Sequence, residues 1–281
     1  MRRFDDYEFR VSSLNWYTGP MDYYLKLAQE IVDEAEVIAL KYFSFETEHV
    51  WKSDNTPLTV ADTEINTLVI EKINATYPDH SIYGEEASDK KEGSRYIWVC
   101  DPIDGTMPFS LGLPLFTFSL ALVDQINGQP ILGIVNDPVG KNRYWATKGG
   151  GAFRNSTPIQ VSKNTDLKNT YISTDGSQDF GIGIDSLETM RALHSKGARA
   201  MKFLSFVYGG IQVANGKFVA SLFYGSHGHD VATIKIITEE AGGKATDLNG
   251  DERRYDEKGI GFVASNGVLH EQILNMIART Q

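Results

Sequence analysis

Trp98-Val99-Cys100-Asp101-Pro102-Ile103-Asp104-Gly105-Thr106 is the stretch that decides the reading of this chain. An apolar run ends abruptly in two carboxylates three residues apart, inside a turn that carries Pro102 and Gly105. The end of a buried strand is where sites assemble in layered α/β proteins. Carboxylates held a few ångströms apart raise each other's pKa unless a cation neutralises them, and hard oxygen ligands suit Mg²⁺ or Ca²⁺ better than Zn²⁺. Metal binding is the economical resolution. Gly105 and Thr106 add unencumbered backbone N–H groups, which a helix starting there would present to a phosphate beside the ions. Asp-Pro and Asp-Gly also serve simple turns, so the run alone leaves both readings open.

Two further acidic features flank this run. Tyr83-Gly84-Glu85-Glu86 closes a short predicted strand ahead of a charged loop from Ala87 to Arg95; by itself an exposed Glu-Glu pair is an ordinary solvated charge. Asp230 lies in His227-Gly228-His229-Asp230-Val231 and heads a predicted helix, where the plain reading is an N-cap worth about 1 kcal/mol, with Gly242 or Gly243 as the stop. His227 and His229 raise a zinc site, but no second His or Cys cluster at ligand spacing supports it.

Around these motifs the chain reads as mixed α/β. Leu25, Ala28, Val32, Ala35 and Ala39 recur at helical spacing over 21–43, and Thr59 and Asp62 cap a second helix that runs through Ile73 to a stop at Tyr77-Pro78-Asp79. Strands are expected at 81–83, 96–100, 116–123, 131–135, 143–146 and 159–161, with turns such as Asn127-Gly128 pointing to an antiparallel-leaning sheet. Beyond Asn164 the pattern alternates: strands at 170–173, 200–203, 218–222 and 260–264, and helices at 186–195, 205–214, 231–240 and 268–278. The 281 residues suit two domains, and the change of pattern divides the chain into 1–160, an α+β part with two long helices and an antiparallel sheet, and 161–281, an α/β part.

Composition narrows the function. Hydrophobic residues at 41% and charged residues at 23% exclude a disordered or collagen-like chain. The net charge of −10 repels phosphate backbones, so nucleic acid is not the expected partner, and an acidic protein that handles phosphate needs metal ions to do it. The single cysteine, Cys100, has no internal partner, which points to a reducing cytoplasm. Residues 1–20 contain no apolar core of a secretory signal, and the most apolar stretch, Leu111 to Val123, is too short and too broken by Gly and Pro for a membrane span.

Gly84-Glu85-Glu86, Asp101-Pro102-Ile103-Asp104-Gly105-Thr106 and Asp230 before Ala241-Gly242-Gly243, in this order, resemble the inositol monophosphatase superfamily of Mg²⁺-dependent, lithium-sensitive phosphatases over residues 21–278. Pro57-Leu58-Thr59-Val60-Ala61-Asp62 is similar to the segment after that family's first long helix. The resemblance implies an αβαβα layered sandwich, commonly dimeric. It implies one metal on Glu85, Asp101 and the carbonyl of Ile103, a second on Asp101, Asp104 and Asp230, and a third, weaker ion beside Glu85. Glu85 and the Thr106 hydroxyl would orient and deprotonate the attacking water with Asp104 at the reacting centre, while Asp104, Gly105, Thr106 and Asp230 would contact substrate. In several members an acid shortly before the Leu-Thr or Val-Thr pair assists the threonine; the aligned place here is read as Thr56, with Asp54 two residues earlier.

Three departures bear on the substrate. Phe223 stands where inositol- and histidinol-phosphate enzymes of this superfamily usually carry a glutamate, seven residues before the last aspartate. Leu204-Ser205-Phe206-Val207 replaces a Gly-Thr/Ser-Ala-Ala type segment, and His229 replaces an aromatic residue. Tyr208, Phe223, Tyr224, Ser226 and His227 are candidate wall residues. The expected activity is Mg²⁺-dependent hydrolysis of a small phosphorylated polyol by metal-activated water, with inositol monophosphate first and histidinol phosphate or a sugar phosphate of the fructose bisphosphate type second. A non-catalytic member of the fold and a metal-dependent nuclease are the readings from other classes.

Overall fold

The computed structural model describes residues 20–45, 47–53, 55–175, 183–225 and 227–279. Five layers stack in the order helix, sheet, helix, sheet, helix. Helices α1 (Pro20–Tyr42) and α2 (Val60–Thr76) form the first. The second is an eight-stranded sheet whose strands lie in the order 157–158, 151–154, 142–147, 129–137, 117–124, 96–104, 81–84 and 88–89. All neighbours in it are antiparallel except Ser81–Gly84 and Tyr96–Asp104.

The period-two alternation of the central strand explains the layering. Trp98 and Cys100 pack with Leu120, Ile134 and the apolar stripes of α1 and α2, while Ile97 and Val99 face the opposite way. Their face meets α5 (Phe206–Ala214) and α6 (Ala232–Glu240), and those two helices share one core with Phe223, Phe262 and Ala264 of the second sheet. That sheet has five strands in the order 199–201, 171–174, 220–223, 262–265 and 244–246; its outer face packs on α4 (Ser186–Ser195) and α7 (His270–Leu274) through Leu193 and Ile273. A short helix α3 (Thr106–Ser110) follows the central strand. No helix among the described residues is long and apolar enough to cross a membrane.

Most elements lie where hydrophobic periodicity places them; the differences are local. Residues 159–161 form no strand: the chain instead pairs Gly151–Arg154 with Thr157–Pro158 around a turn at Asn155, whose φ is +55°. The last helix is cut to His270–Leu274, and the hairpin of His49–Trp51 with Pro57–Thr59 has no sequence signal because its first strand is exposed throughout and carries no alternation.

Candidate active site

Two side chains three residues apart on a strand point to opposite faces. Asp101 and Asp104 do not, because Asp101 pairs with Ser119 and Asp104 with Thr117: three steps on one strand match two on its neighbour. This β-bulge at Pro102-Ile103 turns Asp104 onto the face that Asp101 shares with α5 and α6. Gly105 completes the turn at φ +84°, and a Cβ there would stand 2.7 Å from Ser205 Cβ and 2.8 Å from Leu115 O, so glycine is required for conformation and for space.

The two acids are held differently. Asp104 Oδ2 accepts the hydroxyls of Ser205 and Thr117 (3.0 Å for the latter) and the Tyr208 N–H, and Oδ1 accepts the Phe206 N–H at 2.8 Å. The first turn of α5 is thus tied to the turn after the central strand. Burial raises the Asp104 pKa, and these donors work against the rise. Asp101 is 2% exposed, and its Oδ1 is buried with no hydrogen-bond partner. Burial, then Glu85, Asp104 and Asp230, push its pKa well above the usual carboxylate range.

Glu85 arrives on the neighbouring strand, its N–H bonded to Cys100 O at 3.0 Å. Lys52 Nζ meets Glu85 Oε1 at 2.9 Å and also pairs with Glu86. Burial lowers the Lys52 pKa, but the two glutamates more than reverse this. Burial lifts Glu86 to about 6 against the pull of Lys52. Asp230 does not cap a helix: α6 begins at Ala232 with Val231 as its N-cap. Its carboxyl instead borders the same cavity as Asp101, and burial followed by Glu85 and Asp104 raises its pKa well above normal. The predicted stop is present, with Gly242 at φ +88°.

A cavity of about 480 Å³ is lined by Glu85, Asp101, Ile103, Asp104, Gly105, Thr106 and Asp230 together with Thr56, Phe223 and His227. Glu86 is not on that wall; its carboxylate faces Lys52. Among the described residues no three acidic, imidazole or thiol side chains already sit as a closed metal cage. The donor set nevertheless fits a hard divalent cation: four carboxylates and the Ile103 carbonyl border the cavity, one carboxylate oxygen is buried and unbonded, and burial has raised three of the four acids.

The acid beside Thr106 is one that sequence reasoning treated only as a helix cap. Thr106 Oγ1 lies 3.0 Å from Ile103 O and 3.3 Å from Asp62 Oδ1, while Asp62 Oδ2 accepts the N–H and hydroxyl of Thr59 at 2.8 and 2.6 Å. Asp62 therefore performs two tasks, and burial lifts its pKa to about 6. Thr56 lines the cavity but carries no acid, and Asp54 lies outside the described residues. The clue in the sequence was an acid at the third residue of a helix adjoining the Pro57-Leu58-Thr59 segment.

Lys202, Phe203, Leu204, Phe206 and Phe223 also line the cavity. Leu204 takes φ +59° where the resembled segment has glycine. The rings of Phe206 and Phe223 pack with centroids 4.3 Å apart. Of the other candidate wall residues, Tyr224 belongs to the outer core under α4 and α7, Tyr208 does not border the cavity, and Ser226 lies outside the described residues. His227 Nδ1 is 3.2 Å from Tyr83 OH, and its ring stacks on His229 at 4.9 Å; burial lowers His229 to about 4, and no zinc ligand cluster is found among the described residues.

The chain is 31% identical over 255 residues to a histidinol-phosphatase of Chlorobaculum parvum, covering 90% of this chain and 96% of that protein. It is 34% identical over 222 residues to a fructose-1,6-bisphosphatase/inositol-1-monophosphatase of Thermotoga maritima, covering 78% and 82%. A solved inositol monophosphatase structure from Thermotoga maritima superposes with a TM-score of 0.80 at 27% identity, over 90% of this chain and 96% of that one. With residues 21–281 matching the inositol monophosphatase family, the chain belongs to that family of phosphoric monoester hydrolases.

Proposed function

We propose that this phosphatase uses Mg²⁺ to hydrolyse the phosphate ester of a small polyol, with inositol monophosphate as the first candidate and histidinol phosphate or a sugar phosphate as the second. The observation that carries the reading is the convergence of Glu85, Asp101, Asp104 and Asp230 on one cavity in which Asp101 Oδ1 has no other partner. Glu85, Asp101 and the Ile103 carbonyl would hold one ion, and Asp101, Asp104 and Asp230 another. Asp104 can do so once a hydroxyl donor such as that of Ser205 turns its proton elsewhere, because Ser205, Thr117, Phe206, Val207 and Tyr208 all donate to it and two carboxylate oxygens offer about four acceptor sites. Ions bound there supply charge neutralisation for the phosphate and a water of lowered pKa.

The chain's own groups supply the rest. Thr106 Oγ accepts a hydrogen bond from the attacking water and passes its own proton toward Asp62, whose pKa of about 6 suits a base near neutrality. Glu85 orients the water from the other side, and the N–H groups of Gly105 and Thr106 receive phosphate oxygens. We read the protein as a cytoplasmic dimer inhibited by lithium, from the family resemblance and the lone cysteine.

The test is phosphate release from inositol monophosphate, histidinol phosphate and fructose 1,6-bisphosphate with Mg²⁺, with and without Li⁺. Mg²⁺-dependent release from at least one, suppressed by Li⁺, is expected; inactivity on all three would remove this substrate class.

A further inference from the structure

The charge that the resemblance would place at position 223 is absent, and the structure carries a carboxylate one strand away. Thr174 and Leu222 are partners in parallel register, so Asp175 emerges beside Phe223 at the same end of the second sheet. Both Asp175 oxygens accept the Tyr224 N–H, at 3.1 and 3.2 Å, a fork that fixes the plane of the carboxylate. Burial raises its pKa to about 7 against the pull of the Tyr224 N–H. Asp175 borders the same cavity as Asp230 and Ser205, which Lys202, Phe203 and Phe223 also line.

None of the hydrolytic steps uses this acid. The N–H groups of Tyr224, Gly225 and Asp175 itself donate to the carboxylate, whose two oxygens offer about four acceptor sites and so keep room for one donor from the cavity. Beside it, Phe223 packs on Phe206 and lies so close over Gly225 that a Cβ at that residue would strike the ring. The wall therefore offers aromatic faces for a carbon skeleton and one oriented acceptor.

We propose that Asp175 is the specificity-determining residue for the leaving alcohol: its carboxylate accepts a hydrogen bond from a hydroxyl or ammonium group on that alcohol while Phe206 and Phe223 take the carbon frame. Phe223 thus marks a relocation of the acceptor from one strand to its parallel neighbour. This rests on the phosphomonoesterase reading and adds which esters are preferred, namely aliphatic esters that bear a donor rather than aryl esters that have none.

The test compares the full chain and D175N, with Mg²⁺, on phenyl phosphate, inositol monophosphate and histidinol phosphate. D175N is expected to raise KM for the two donor-bearing esters by about tenfold or more beyond its effect on phenyl phosphate, with kcat changing less, because a site built around a donor loses most when that contact goes. D175E, which restores the charge, recovers part of the loss. A greater loss on histidinol phosphate than on inositol monophosphate identifies ammonium as the donor, and the reverse identifies hydroxyl. Equal losses on all three esters, or an unchanged KM, overturn the proposal; D175S, small enough to keep the Tyr224 contact, replaces D175N should that variant melt early. Wild-type release from phenyl phosphate secures the hydrolase reading separately, whereas a wild type inactive on every ester would remove both.

Discussion

The carboxylate of Asp62 stands 3.3 Å from the Thr106 hydroxyl, joining the first turn of α2 to the residue that follows the acidic turn. Asp62→Asn keeps an oxygen for Thr59 but removes the proton acceptor. It is expected to lower kcat by about 10²- to 10⁴-fold while costing about 1 kcal/mol of stability. Phosphate-release kinetics and thermal melting measure the two effects; a kcat near wild type would show that Thr106 needs no such partner.

Asp104 presents the opposite balance. Ser205, Thr117, Phe206 and Tyr208 all donate to it, so Asp104→Asn sets an amide N–H₂ against at least one of these donors. The variant should lose essentially all phosphate release and also about 1–3 kcal/mol of stability. Activity close to wild type would contradict the role given to Asp104, and an unchanged melting temperature would contradict the anchoring of α5.

The raised acids fix a pH dependence. Asp62 and Glu86 titrate near 6 in the folded chain, Asp175 near 7, and Asp101 and Asp230 higher than ordinary carboxylates, whereas unfolded Asp and Glu titrate near 4. These five acids outnumber the buried imidazoles of His80, His229 and His270, which burial lowers and which act in the opposite sense, so the folded state binds more protons than the unfolded state and stability falls as pH rises from about 4 through 7. Melting of the metal-free chain should occur at lower temperature at pH 8 than at pH 5.5, and Mg²⁺ should raise the pH 8 value most. A melting temperature that climbs with pH in chelator would refute this.

Leu204 holds φ +59° at 47% exposure, so it bears left-handed backbone strain with little burial to offset it. Leu204→Gly should stabilise the protein by about 0.5–1 kcal/mol, less whatever the added freedom of the unfolded chain costs. Denaturant unfolding decides it; a clear loss of stability would mean that the Leu204 side chain packs more productively than its exposure indicates.

How much of this was legible in the sequence follows from the range of the interactions involved. The α1 stripe, the 186–195 helix and the alternation of the central strand rest on local signals, and the folded chain keeps them. Glu85, Asp101, Asp104, Thr106 and Asp230 could be named because their motifs are compact. Asp62 was read only as a cap, since its second partner lies 44 residues away and nothing in the spacing announces that contact. Asp175 was passed over because its place beside Phe223 is a property of parallel register between strands 48 residues apart. The strand expected at 159–161 failed for a similar reason: the edge pairing was decided by the turn at Asn155.

The extra residue in the central strand has a consequence for how such a chain can change. Were the same sequence paired regularly across Pro102-Ile103, Asp104 would fall opposite Phe116 instead of Thr117 and point toward α1 and α2, away from the donors that hold it. A change that let Pro102-Ile103 settle into regular register would tidy the sheet and silence the enzyme. The irregular step in the strand is thus the part least free to be repaired.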